Sequence, residues 1–480
     1  MKFLPLAAAL AGAVFTLTAQ ASPQLLAVGS LNSGGRDLST ATAGPLENGA
    51  AGNLLGGMGS GLAWAGGSTF LATPDRGPNA IAYNPLVDDT TSYIARFQTV
   101  TMALTANTSG SGLKFNLTPT LTATTLLSSP TALVYGTGAL GTGSVGGVNY
   151  TLANGTPALN AVNNTNYFTG RSDGFDPTRN STNPNNARLD PEAIRVSNDG
   201  KSVFVSDEYG PYVYQFDRAT GARIASFALP GNLAVSNLSA VGNTEISGNT
   251  TGRVANKGME GMAITPDGKT LVGIMQASLE QDTSKVVRIV TIDIATGATH
   301  EYAYQMTAGT GVSEITALSA TQFLIDERDG KGLGDGSKAV AKQIFKIDLA
   351  GAEDVTNLSG DQLLGKVVSK SVFIDLVAAL KAYGLSADQI PSKIEGIAFG
   401  DDVMVDGVLN HTFYVANDND FLTSAGNNNF YVFGVTDADL RAVGATFTAQ
   451  QFAVNAVPEP ASLALVGLGL MAFGFLKRRK

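Results

Sequence analysis

The sequence predicts an all-β chain folded as a single β-propeller of four-stranded antiparallel blades. Three observations carry that expectation. Glycine is abundant, with 56 residues, and short runs of β-formers alternate with polar turns. One stretch, 190–228, reads as four consecutive strands joined by tight turns. The opening of that stretch then recurs along the chain, which is the mark of a repeat architecture.

The clearest unit begins with Pro191-Glu192-Ala193-Ile194-Arg195-Val196, turns at Asn198-Asp199-Gly200-Lys201 and continues as Ser202 to Ser206. A third strand spans Tyr212 to Phe216, a hairpin follows at Asp217-Arg218-Ala219-Thr220-Gly221, and a fourth strand runs from Arg223 to Leu229. Four antiparallel strands in roughly 40 residues make one propeller blade. Similar openings stand at Met259-Glu260-Gly261, Ser313-Glu314-Ile315 and Ile394-Glu395-Gly396, with a degenerate copy at Gly59-Ser60-Gly61. The spacing between the first two openings, at 60 and 192, leaves room for one further blade, so six blades are expected, with seven as the alternative count. Gln24-Leu25-Leu26-Ala27-Val28 is expected to pair with the last blade and close the ring, which removes a free sheet edge. Residues 140–190, rich in Gly, Asn and Thr, read as a long surface loop, and Phe373 to Leu385 has helical spacing.

Both ends read as processing segments, leaving 22–456 as the folded domain. In 1–21 a single basic residue, Lys2, precedes an apolar run and the small-x-small site Ala19-Gln20-Ala21, the order of parts in a signal peptide. In 457–480, Val457-Pro458-Glu459-Pro460 precedes an apolar stretch, Ala461 to Leu476, and then Lys477-Arg478-Arg479-Lys480. Sixteen residues in a helix span about 24 Å, short of the ~30 Å hydrocarbon core but workable as a temporary anchor. The four terminal cations would stay on the cytoplasmic side.

Setting aside Lys2, Glu459 and the four terminal cations leaves 26 basic and 39 acidic residues, a balance of −13. Such a surface repels phosphate backbones, which argues against a nucleic-acid partner, and attracts divalent cations. Cysteine is absent, so thiol chemistry and disulfides are excluded. His300 and His411 are the only histidines, too few for a histidine-based zinc site beside a Ser-His-Asp triad.

Each recurring opening carries a polar residue at the same place: Glu192, Glu260, Glu314 and Glu395, with Ser60 at the fifth. Each second strand ends in another polar group: Asp75-Arg76, Asp207-Glu208, Gln276, Asp326-Glu327-Arg328 and Asn417-Asp418-Asn419-Asp420. Innermost strands run along the central channel of a propeller, so equivalent positions converge on one mouth. Carboxylates confined together require a cation, and hard oxygen donors suit Ca²⁺. The expected ligands are Glu192, Asp207, Glu260, Glu314 and Glu395. Arg76 and Arg328 are candidates to fork onto a phosphate or carboxylate, and Glu208 or Glu327 to act as base. Gly170-Arg171-Ser172-Asp173-Gly174 fits G-x-S-x-G, but without the flanking strand and helix of a nucleophile elbow. Asp329 to Gly336 has the composition of a calcium loop without its acidic spacing.

Asp75-Arg76-Gly77-Pro78-Asn79, Asp190-Pro191-Glu192, Ser206-Asp207-Glu208-Tyr209-Gly210-Pro211, Glu327-Arg328-Asp329, and Glu395-Gly396 with Asn417-Asp418-Asn419-Asp420-Phe421 together resemble the phytase-like family described as having esterase-like activity. The resemblance spans about 55–435. It implies a propeller and a hydrolase of phosphate esters, although the acidic calcium-binding runs of the alkaline phytases are not matched residue by residue. The Ca²⁺ expectation rests on the carboxylates above, and Asp75, Asn79, Asn417 and Asp418 are the candidate substrate-binding residues. The C-terminal segment resembles the PEP-CTERM sorting signal, which implies export, cleavage near Pro458 by an exosortase after signal-peptidase processing, and release to the surface or matrix of a Gram-negative bacterium. Two other readings share the geometry: a gluconolactonase-type lactonase, and a non-catalytic surface propeller binding calcium and matrix polysaccharide.

Overall fold

A computed structural model describes residues 23–81, 90–136, 142–145, 148–151 and 165–453. The proposed signal peptide and the whole of the sorting tail lie outside those residues. Among the described residues, no helix is long and apolar enough to cross a membrane.

The strands assemble into five four-stranded antiparallel blades. Blade 1 consists of Gly61–Trp64, Thr69–Thr73, Arg96–Ala106 and Phe115–Leu126. Blade 2 consists of Pro191–Val196, Ser202–Asp207, Tyr212–Asp217 and Arg223–Ala228. Blade 3 is built from Met259–Ile264, Thr270–Met275, Val286–Asp293 and Thr299–Gln305. Blade 4 is built from Gly311–Ala317, Gln322–Arg328, Lys342–Asp348 and Lys370–Asp375. Blade 5 takes Lys393–Phe399, Val408–Asp418 and Asn428–Val435 from the end of the chain and Gln24–Leu31 from its beginning.

Burial follows the position of each strand in its blade. Inner strands are covered on both faces, so Pro191–Val196 and Ser202–Asp207 are buried at every residue, while the outer strand Arg223–Ala228 alternates half-buried and exposed. Five apolar clusters fill the five gaps between neighbouring blades. One links blade 1 to blade 2 through Leu71, Phe97, Ile194 and Val205, and another links blade 5 back to blade 1 through Tyr414, Val432, Leu62 and Phe70. The remaining three join blades 2 and 3, 3 and 4, and 4 and 5. The ring therefore closes with five blades, against the six expected. Among the described residues, the interval that suggested a sixth holds the long outer hairpin of blade 1 and only short pairings besides, Ser128–Ser129 with Asn166–Tyr167 and Thr142–Val145 with Val148–Thr151.

The N-terminal strand pairs antiparallel with Asn428–Val435, as expected for ring closure. Within 373–385 the helix occupies Leu376–Tyr383, N-capped by Asp375 and ended by Gly384 at φ +116°, where only a residue without a side chain sits at ease. Phe373 itself belongs to the outer strand of blade 4.

All five inner strands run in the same sense along the channel, so the ring has two distinct ends. Their first residues surround one mouth, and the turns that follow them surround the other. The segment after blade 5 runs across this second end. Thr448 donates its N–H to Leu318 O at 2.7 Å, and Ala453 donates to Asn198 O at 2.6 Å.

Candidate functional site

The first mouth is acidic because of a repeated backbone irregularity. In blades 2, 3 and 5 the pairing of the first two strands slips near the start of the inner strand: between Pro191 and Ile194, Met259 and Gly261, and Ile394 and Ile397. A β-bulge of this kind adds an unpaired residue and re-aims its side chain. Glu192, Glu260 and Glu395 sit in these bulges, each four residues before the last paired residue of its inner strand. The glycine after two of them has its own reason. A Cβ at Gly261 would lie 2.6 Å from Cα of Glu314, and one at Gly396 2.9 Å from the carbonyl of Gly59, so the inner strands approach too closely for a side chain.

In blade 4 the slip falls between Val312 and Glu314, and the residue in the bulge is Ser313. Glu314 stands one place further on. In an extended chain that turns the side chain to the opposite face. There its Oε1 accepts the N–H groups of Met262 at 2.8 Å and Ile315 at 3.0 Å, and its Oε2 pairs with Arg195 at 3.0 Å. Glu314 thus ties blades 2, 3 and 4 together and stays out of the mouth, where a ligand had been expected.

Three expected ligands do converge. Glu192, Glu260 and Glu395 are close enough that the charge of each neighbour counts. Burial first, then Glu260, Asp190, Glu208 and Glu395, push the Glu192 carboxyl well above the usual range. Glu260 is pushed up to about 8 by burial and by Glu395, against the pull of Arg328. One buried oxygen on each of Glu208, Glu260 and Glu395 has no hydrogen-bond partner among the described residues. Orphaned buried carboxylate oxygens are costly and call for an explanation.

Two tight acidic groups stand out at the mouth. Asp190, Glu192 and Glu208, all buried, each bring one carboxylate oxygen within 4.8 Å of the others. Asp75, Asp418 and Asp420 do the same. The second group has its own cation. Lys393 reaches Asp418, lies 2.9 Å from Asp420 Oδ1 and 3.6 Å from Glu395 Oε1. Burial alone would discharge that ammonium, but Asp418, Asp420, Glu395 and Asp75 outweigh it and hold its pKa far up. In the first group, Arg76 binds Asp190 through Nη1 at 3.1 Å and through its backbone N–H at 2.9 Å.

Arg328 enters the mouth from blade 4. It pairs with Glu395, lies 3.7 Å from Glu260 Oε1, and is steadied by a 2.6 Å bond from Nε to Ser313. Gln276 completes the third blade's share by donating to Glu260 at 2.7 Å. Arg76 also contacts Asn256 and lines a cavity of about 260 Å³ beside the mouth, together with Asp75, Asn79 and Asp420.

The remaining expected residues lie elsewhere or serve the backbone. Asp207 accepts the N–H groups of Asp190 at 3.2 Å and Tyr209 at 3.0 Å, fixing the loop that carries Glu208. Glu327 points away from the mouth. Its oxygens accept from Tyr304 at 2.5 Å, from Lys370, and from the N–H groups of Thr307, Ala308 and Gly309. That shell holds its pKa below the usual glutamate value despite burial, so Glu327 clasps the connection between blades 3 and 4 and cannot reach a substrate at the mouth. Asn417 accepts the N–H of Asn429 at 2.7 Å, and Asn79 accepts from Thr90 at 2.9 Å. Ser172 of the G-x-S-x-G run sits between Arg171 and Asp173, which pair with each other at 2.9 Å, with no helix after it.

Asp190 and Lys393 were not singled out as site residues from the sequence, and Asp420 was met only as the end of a polar run. A usable signal was present for the first two. Each lies two residues before a rim glutamate, and positions two apart in a strand share a face.

Known proteins give context to this geometry. Residues 456–480 match the PEP-CTERM protein-sorting motif, a signal for processing by exosortase on an exported protein. An uncharacterized secreted protein of Arthroderma benhamiae is 30% identical over 228 residues, which cover 39% of this chain and 44% of that protein. The chain thus spans less than half the length of that curated relative. A gluconolactonase of Xanthomonas campestris is similar over 87% of this chain and 99% of its own, at 10% identity and TM-score 0.29. A putative 6-phosphogluconolactonase of Bacteroides uniformis is similar over 80% of this chain and 90% of its own, at 13% identity and TM-score 0.27. Residues 53–421, from the approach to blade 1 through the acidic loop of blade 5, match the family described as phytase-like, esterase-like activity of phytase, and the chain belongs to that family.

Proposed function

We propose that this protein is a calcium-dependent hydrolase of phosphate esters, acting at the acidic mouth. The reading rests on one observation above the others: Asp190, Glu192 and Glu208 are buried together, and the charges raising the pKa of Glu192 are all carboxylates. The donor set fits a hard cation. It is all oxygen, one Glu208 oxygen lacks any other partner, and both histidines stand elsewhere, His300 against Asp354 and His411 against Asp402. Ca²⁺ held by Asp190, Glu192 and Glu208, with Glu260 and Glu395 behind them, would supply neutralising charge for a phosphate and polarise an attacking water.

The chain's own groups account for the rest. Arg328 and Arg76 stand on either side of the acids and offer guanidinium N–H groups to the non-bridging phosphate oxygens. The cavity beside Asp75, Arg76 and Asn79 has room for the remainder of an ester. Water attacks phosphorus and the bond from phosphorus to the ester oxygen breaks. Glu208 accepts the proton of the water and passes it to the leaving oxygen, which departs as the alcohol.

Purified protein given phytate or an aryl phosphate should release phosphate with calcium present and stop when a chelator is added. Glu208→Gln should abolish that release. Hydrolysis of a sugar lactone with none of phosphate esters would replace this reading with a lactonase. Polysaccharide binding without any turnover would replace it with a binding module.

A further inference from the structure

The segment that follows blade 5 touches every blade at the end of the channel opposite the acids. Thr446 donates to Gln322 Oε1 at 3.0 Å and Thr448 to Leu318 O, both at the turn of blade 4. Gln450 Nε2 reaches Val196 O at 2.7 Å and Asn198 Oδ1 at 2.8 Å in blade 2, and Gln451 donates to Pro266 O of blade 3 at 3.5 Å. Phe447 packs on Phe399 of blade 5 at 4.3 Å between ring centroids, and Phe452 on Trp64 of blade 1 at 5.2 Å. Beneath it remains a cavity of about 50 Å³, lined by Arg195 and the ends of the inner strands.

We infer that this segment is a strap fixing where the sorting tail leaves the propeller, so that the acidic mouth faces away from the bilayer while the tail is inserted. The proposal stands apart from the hydrolytic reading and rests on the tail's own sequence. Eight residues separate its apolar stretch, Ala461 to Leu476, from Phe452, which is pinned to Trp64. Eight residues reach about 28 Å at full extension. The mouth lies one inner strand away, about 20 Å along the channel. A tail turning back toward the mouth would spend most of its reach on the flank of the propeller before meeting lipid. Charge points the same way. Anionic headgroups repel a rim carrying Asp75, Asp190, Glu192, Glu208, Asp418 and Asp420.

The absence of native cysteine allows a direct test with the full chain. Single variants Lys201→Cys and Lys269→Cys place a fluorophore at exposed turns on the strapped end, and Lys257→Cys places one beside the mouth. In vesicles carrying a headgroup quencher, the first two probes are expected to lose fluorescence and the third to keep it. Equal or stronger quenching at position 257, or failure of the chain to float with the vesicles, overturns the proposal. A strap variant, Phe447→Ser with Gln450→Ala and Phe452→Ser, separates strap from tail. With its β-sheet circular dichroism unchanged, it should lose the difference between the two ends. A difference that survives would show that the strap does not set the orientation.

Discussion

Blades 2 and 5 present the same bulged stretch of backbone to the mouth and differ in the charge carried two residues before the rim glutamate. Both carry a glutamate in a bulge, Glu192 and Glu395. Two residues earlier, blade 2 has Asp190 and blade 5 has Lys393. In blade 5 the lysine supplies a positive charge to Asp418, Asp420 and Glu395, and burial of these acids is partly compensated within the chain. In blade 2 an aspartate takes that place, so the group gains a carboxylate where its counterpart gains an ammonium. Asp190 is partly answered by Arg76, while Glu192 meets further acids. The charge two residues before the rim glutamate thus gives one half of the mouth an ammonium of its own, while the other, with a further carboxylate in that place, is the half proposed above to take a cation.

The largest effect is expected from Lys393→Met. Removing one partner of a buried ion pair typically costs 3–5 kcal/mol, and the expectation here is about 3 kcal/mol, because about a fifth of the lysine side chain remains exposed. Denaturant midpoints measured without metal would show it, and calcium should recover part of the loss by entering the vacated group. An unchanged midpoint would mean that Asp75, Asp418 and Asp420 carry protons instead of relying on Lys393. Glu192→Gln probes the other half. Calcium affinity by titration calorimetry should fall by at least the roughly 10–100-fold that loss of an outer-shell partner alone costs, because a direct ligand is removed. Metal-free stability should hold or rise, because an uncompensated carboxyl has been removed. If Glu192→Gln weakened the metal-free fold as Lys393→Met does, the proposed division of the mouth would be wrong.

The blade plan was legible in the sequence because turns and alternating strands repeat, and so was the pairing with the last blade of a strand read at Gln24 to Val28, which extends to Leu31. The number of blades was not, since chain length between openings does not distinguish a blade from a long hairpin such as Arg96–Leu126. At the mouth, Glu192, Glu260 and Glu395 could be found from their shared motif. Glu314 looked equivalent and is not. Five residues separate the last paired positions, Ala317 and Phe323, in blade 4, against six between Ile264 and Leu271 in blade 3. The turn is one residue shorter, so counting back from it brings Ser313 to the rim and Glu314 to the opposite face. Glu327 misled for a related reason: it neighbours Arg328, and neighbours on a strand point to opposite sides.

The smallest effect expected is on pH dependence, and it tests whether the two halves behave differently in one molecule. Burial pushes Asp207 up to about 7, and burial with Glu395 pushes Glu260 up to about 8. A carboxyl with a raised folded pKa holds a proton that the unfolded chain has already released. Its contribution to stability is full below the unfolded value of about 4 and is lost as pH rises through the folded value. The metal-free protein should therefore melt at a lower temperature at pH 8 than at pH 5. Calcium competes with those protons, so it should raise the melting temperature at pH 8 and do little at pH 5. In Glu192→Gln the calcium effect should shrink while the slope against pH becomes shallower. In Lys393→Met the slope should steepen, because Asp75 and Asp418 lose the ammonium that favours their charged forms. Slopes that moved together in the two variants would show that the acids titrate as one ring and that the lysine does not partition them.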